Sequence, residues 1–220
     1  MRRMLRENGL SLTLFGLFLL TLSGQIVTGY FDYIEDRLEH RQRAISFAAY
    51  FTSGHFIEAT MENWESEFLQ MATFVVLTAF LYQKGSAESK RIDVIEPVDV
   101  DPRGSEQKRE APWPVRRGGW ALKLYEHSLS IVFFMLFLIS FILHALGGAW
   151  EYNREQLLHG KETISVISFL GTSRFWFESF QNWQSEFLSV GSMVVLTIFL
   201  RQKGSPESKP VESPYSETSV

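Results

Sequence analysis

The stretch NWESEFLQMATFVVLTAFLYQKGSAESK, residues 63–90, returns as NWQSEFLSVGSMVVLTIFLRQKGSPESK, residues 182–209. The two are 119 positions apart, and extending that shift without a gap aligns 5–90 with 124–209, with 34 of 86 pairs identical. Self-similarity at that level marks an internal duplication, and whatever one copy does in space the other is expected to do too. Within the quoted stretch a polar, aromatic block precedes 16 residues (68–83) with no formal charge in the first copy, and 14 residues (187–200) in the second. At ~1.5 Å per residue neither run alone covers a ~30 Å apolar bilayer core. If each helix begins near Asn63 or Gln181 it does cover it, and Glu67 and Glu186 are then drawn about one turn inside the outer boundary.

Upstream of each block stands a longer apolar run. Between Glu7 and Asp32 there is no formal charge for 24 residues, and 127–150 matches it with His127 and His144 as its only ionisable side chains. Both are long enough to cross a bilayer with some tilt. The first follows Arg2, Arg3 and Arg6 and so also resembles a signal peptide, but its counterpart at 127–150 sits in mid-chain, which favours retention of the first as a span.

The expected fold is therefore all-α and integral to the membrane, with four transmembrane helices arranged as two tandem two-helix repeats. Residues 1–90 form the first repeat, with helices about 9–30 and 63–82. Residues 91–123 form a linker, 124–203 the second repeat with helices about 128–149 and 182–201, and 204–220 a disordered tail. Two crossings per copy give both copies the same orientation, related by an axis along the membrane normal. Lys and Arg number 3 in the N-terminal arm, 9 from 83 to 123 and 3 from 201 onward, against 3 in each intervening loop. The positive-inside rule then puts both termini and the linker in the cytoplasm. The segments 44–60 and 163–180 are aromatic but too short and mixed to span, and read as amphipathic segments at the outer interface or as re-entrant turns broken at Gly54 and Gly171. In the linker, Arg116, Arg117 and Lys123 lie beside Trp113 and Trp120, a composition suited to anionic headgroups.

With 21 basic and 25 acidic side chains the chain is net acidic, and it has no cysteine. The first argues against nucleic acid as a partner. The second removes disulfides, thiolate ligands and thiol nucleophiles. No phosphate-binding glycine loop, nucleophile elbow or HExxH is present, so no catalytic residue and no cofactor is expected. Only His40 and His159 correspond between the copies, both in polar loops. His55 with Glu58 has ligand-like spacing, but its counterparts are Arg174 and Phe177. No metal site follows.

The candidate site is the repeated block itself. On a helix Trp64, Glu67, Met71, Phe74 and Thr78 share a broad face that Trp183, Glu186, Val190, Met193 and Thr197 repeat. A carboxylate inside the membrane boundary calls for water or a partner, so Glu67 and Glu186, with Trp64, Trp183, Asn63, Asn182, Ser66 and Ser185, form a candidate proton or cation site. The competing reading makes each Glu a first-turn residue that complements the helix dipole, capped by the neighbouring Ser and Asn, with each Trp an interfacial anchor.

The blocks TSGHFIEATMENWESEFLQM and QKGSAESK, with the opening LRENGLSLTLFGLFLL, resemble a family of small bacterial membrane proteins known only as a domain of unknown function, whose motif NWxSEFL…QKGSxESK occurs here twice. The resemblance implies a bacterial cytoplasmic (inner) membrane location and carries no activity or site residues. The leading expectation is a non-enzymatic membrane protein acting through packing or partner binding, with the bilayer and a second copy or another membrane protein as partners. The alternative is a small transporter or channel-like protein using the paired glutamates.

Overall fold

Each helix opens or closes where the side chains dictate. The computed structural model describes residues 2–92, 94–105 and 110–218, and every regular element among them is helical. Helix α1 runs Arg2–Glu39 with a kink at Asn8 (φ −126°), and α6 runs Ser128–Leu158. These two are long and apolar enough to cross a membrane, and none of the most apolar window of α1 is buried against protein. Both helices outrun the apolar runs that predict them, by about two turns. Polar residues continue both helices because they find partners, Asp36 and Glu151 in Arg154 and Asp32 in His55, as described below.

Helix α3 spans Gly54–Phe80 and α8 spans Ser173–Phe199. The expected starts at 63 and 182 are therefore corrected upstream. Ser53 explains the first: its Oγ accepts a hydrogen bond from the Phe56 amide at 3.2 Å, capping a helix that begins nine residues before Asn63. The aromatic segments do not lie as single helices. Each divides into one short turn, α2 (Phe47–Tyr50) or α7 (Val166–Leu170), and the opening turns of the long helix that follows. Ser46 Oγ caps α2 through the Ala49 amide at 3.2 Å, and Ser165 Oγ caps α7 through the Ser168 amide at 3.1 Å.

The linker carries two 3-10 turns, Pro97–Asp99 and Pro102–Ser105, and two short helices, α4 (Trp113–Arg117) and α5 (Gly119–Glu126). The tail makes specific contacts where the sequence suggests none. Lys209 Nζ donates to the carbonyls of Pro214, Tyr215 and Glu217 at 2.8–3.3 Å, and the Thr218 hydroxyl accepts from the Gly85 amide at 3.0 Å.

Contacts divide the chain into two compact units, Met1–Met61 with Leu143–Thr172, and Glu62–Ile142 with Ser173–Val220. In the first, α3 and α6 meet backbone to backbone. A Cβ on Gly54 would sit 2.8 Å from the Gly147 carbonyl, and one on Gly147 would sit 2.6 Å from the Glu58 amide. Small residues at a helix crossing permit this closeness. Tyr33, Tyr50, Ala145, Ala149 and Phe169 are buried around it. In the second unit the buried apolar residues are few, Ala72, Val115, Leu122 and Phe175, and buried polar ones outnumber them.

Candidate functional site

That polar interior contains the carboxylate whose setting is hardest to explain by packing alone. Glu65 is 0% exposed, more than ten residues into α3, and its Oε1 accepts a hydrogen bond from Trp183 Nε1 at 2.9 Å. Trp183 is held by other rings: Phe180 at 5.5 Å, Phe137 at 6.3 Å and Trp176 at 6.3 Å between centroids. Phe141 extends the group to Phe175 at 5.3 Å and Trp176 at 6.5 Å. Edge-to-face contacts of this kind fix an indole's orientation and hence the direction of its N–H. Ser66, Gln70, Ser140 and Ser179 are buried in the same unit, and the Ser179 hydroxyl, one turn before Trp183 on α8, has no hydrogen-bond partner.

Each residue singled out from the sequence can be placed. Glu67 is exposed and Glu186 half-buried, and the Glu67 carboxylate stands close enough for its charge to act on Glu186. Trp64 packs edge-on against Phe68 at 6.5 Å. Ser66 Oγ donates to the Asn63 carbonyl at 2.8 Å, Ser185 Oγ to the Asn182 carbonyl at 2.7 Å, and Asn182 Nδ2 to the Glu178 carbonyl at 3.1 Å. All eight lie well inside the two long helices, so the helix-start role is excluded: neither Glu67 nor Glu186 is in a first turn, and the Ser66, Ser185 and Asn182 side chains bond back along the helix instead of capping it. Trp183 is used by a carboxylate in the helix interior and does not act simply as an anchor.

Glu65 escapes sequence reasoning because it is the variable position of the block, opposite Gln184 in the second copy, and because it falls on a different helix face from Trp64 and Glu67. Its own signal is the series 58, 62, 65, 69 and 72, which puts two further glutamates on a face that also carries Leu69 and Ala72.

The other unit holds a second ionic and aromatic cluster. Arg154 Nε donates to Glu151 Oε1 at 2.8 Å, its NH2 group to Asp36 Oδ2 at 2.8 Å, and its guanidinium lies 5.1 Å from the centre of the Tyr33 ring. His55 stacks on that ring at 5.1 Å and shares a 3.1 Å hydrogen bond with the Tyr50 hydroxyl through Nδ1, while its Nε2 faces Asp32 Oδ2 at 3.8 Å. Burial first, then the charges of Asp32, Tyr33 and Glu151, pushes the Tyr50 hydroxyl up from 10.0 to about 12. The tyrosine stays protonated, and the cluster pairs its charges internally, leaving Glu151 Oε2 buried without a hydrogen-bond partner.

A family model described as a domain of unknown function (DUF6766) matches residues 1–220. The chain belongs to that family. No curated protein and no solved structure matches it. Membership in DUF6766 brings no residue roles, so function rests on the geometry above.

Proposed function

We propose that this DUF6766 member is a non-enzymatic four-span protein of the bacterial cytoplasmic membrane, built as two tandem hairpins, that binds and passes a proton or small cation at Glu65. The observation that carries the reading is the Glu65–Trp183 pair. Trp183 packs on Phe137, within the apolar run 127–150 of α6, so if α6 spans, the carboxylate sits within the membrane boundary. Ionisable groups at that depth are costly and mark ion or proton paths by default.

The four-span reading has its own support. Helices α3 and α8 have 27 residues each, ~40 Å at ~1.5 Å per residue, enough to cross despite their shorter apolar runs. Duplication is supported by recurrence at the 119-residue shift. The bounds of α3 and α8 correspond residue for residue, α1 and α6 end at corresponding positions, and Gly85 and Gly204 share φ +87°. The N-terminal arm, the linker and the tail carry the excess of Lys and Arg expected on the cytoplasmic side.

Reconstituted in sealed vesicles with a pH-sensitive dye inside, the protein is expected to pass protons or monovalent cations, and E65Q to lose at least about tenfold of that flux, one pairing of roughly 1.4 kcal/mol. The double variant E67Q/E186Q should keep most of it. Flux in E65Q equal to the unmodified protein would remove Glu65 from the path. Flux lost only in E67Q/E186Q would return the role to the repeated pair. A protein with no flux above empty vesicles would leave a packing or partner-binding role in its place.

A further inference from the structure

The most strongly repeated motif, QKGSxESK, has no role at Glu65. In the first copy it builds a turn fixed by its own hydroxyls. The Gln83 amide donates to Ser89 Oγ at 2.8 Å and the Glu88 amide to Ser86 Oγ at 3.1 Å, while Ser86 Oγ is hydrogen-bonded to Thr197 Oγ1 at 3.0 Å. Gly85 at φ +87° makes the turn possible. The same local bonds recur in the second copy, where Gln202 donates to Ser208 and Glu207 to Ser205. A turn this well tied is a rigid platform.

In the first copy the platform forms one wall of a cavity of about 690 Å³, within the ordinary range for small-molecule sites. Phe74, Val75 and Ala79 of α3, Val98 of the linker and Leu129 of α6 give it apolar walls. Its charged lining is Glu88, Glu96, Asp99 and Glu126 against Lys90, with the His127 imidazole beside Glu126. Lys90 is taken by Asp99 at 2.6 Å, and Glu96 pairs with Arg91 at 3.3 Å. That leaves Glu88 and Glu126 with no ion pair among the described residues. Glu88 Oε1 is moreover buried and without a hydrogen-bond partner. A buried carboxylate oxygen in that condition is unfavourable until a donor or cation reaches it.

We propose that this cavity binds a small aliphatic diammonium compound, one ammonium group on Glu88, the other on Glu126, and the methylene chain along the apolar walls. Two unpaired acids match two positive charges, and the hydrocarbon walls suit a methylene chain better than a hydrated metal ion. Mg²⁺ needs near-octahedral oxygen ligands and retains its waters. Burial, and then the neighbouring Glu207, pushes the Glu88 carboxyl above the ordinary carboxylate range, a cost that a bound ammonium group offsets. The site is separate from Glu65, so failure of the flux experiment does not touch it.

The test is calorimetric titration of the full-length protein in detergent micelles with 1,5-diaminopentane, 1-aminopentane and magnesium chloride. The diamine is expected to bind saturably, at least about tenfold more tightly than the monoamine because one charge-assisted contact is lost. E88Q should weaken the diamine at least about tenfold and E126Q by less, while E67Q leaves it unchanged. Magnesium should not displace the diamine. No saturable heat up to about 10 mM, where even a millimolar site fills, would overturn the proposal. So would equal affinity for diamine and monoamine in the unmodified protein, a comparison that needs no variant to fold. Displacement by magnesium at equal concentration would reduce the site to a diffuse acidic surface and also overturn it.

Discussion

At the scale of single residues, the chain concentrates its unusual chemistry at a few buried polar side chains. Arg154 is the clearest structural case. Its side chain is 17% exposed and that of Glu151 is 5% exposed, so removing the cation leaves Glu151 buried beside no positive charge. R154M is expected to cost roughly 3–5 kcal/mol, read as a lowered midpoint of thermal unfolding in detergent. Tyr50 gives a pH signature. Its pKa in the folded chain lies above that of an unfolded tyrosine, so the folded state holds the proton more tightly. The stabilisation is complete below pH 10 and is lost as pH rises through about 12. Denaturant unfolding of the unmodified protein should therefore weaken across that window more steeply than in Y50F; identical slopes would show that the hydroxyl is as free in the folded chain as in the unfolded one. Glu65 was not legible from spacing, since a carboxylate one position from an eye-catching Trp and two from a repeated Glu looks like part of a solvated face. Its neighbour on another helix, Trp183, shows it to be a buried, hydrogen-bonded carboxylate.

At the scale of elements, helix ends and crossings separate what is local from what is not. The ends follow from nearby residues: Ser53, Ser46 and Ser165 each place a hydroxyl at the first free amides of a helix. The crossing of α3 with α6 depends on two glycines that are far apart in the chain. Adding a methyl at Gly147 would place it 2.6 Å from the Glu58 amide and 2.9 Å from Ile57 Cγ2, with no flexible side chain able to yield enough. G147A is expected to destabilise by about 1–3 kcal/mol, whereas G16A, which meets nothing within 4 Å, should be near neutral. Equal thermal midpoints for the two variants would contradict the close approach. The helix signal in both apolar runs was plain because 24 uncharged residues leave little alternative. The upstream starts of α3 and α8 were not, because their opening turns carry mixed polar and aromatic residues that no single period describes.

At the scale of the whole molecule, the duplicated sequence and the distribution of Lys and Arg predict topology. Reporter fusions at Ser86 and at the tail should give cytoplasmic signals and one at Arg154 an external signal; an external Ser86 would mean that α3 does not cross. The sequence by itself determined that the chain is helical, that two of its helices are long and apolar enough to cross a membrane, and that a 119-residue shift relates its halves. These properties are carried by composition and periodicity within single segments, where each residue's neighbours in the chain suffice. Tertiary structure alone decided which glutamates are buried, which glycines touch backbone, and that the QKGS turn walls a cavity. Each of those depends on groups brought together from well-separated parts of the chain. At several such positions the residues related by the 119-residue shift differ: Glu65 aligns with Gln184, Tyr50 with Phe169 and His55 with Arg174. A shared pattern fixes the helices of both copies, but it cannot say which copy keeps the charge, because that is settled by what packs against it.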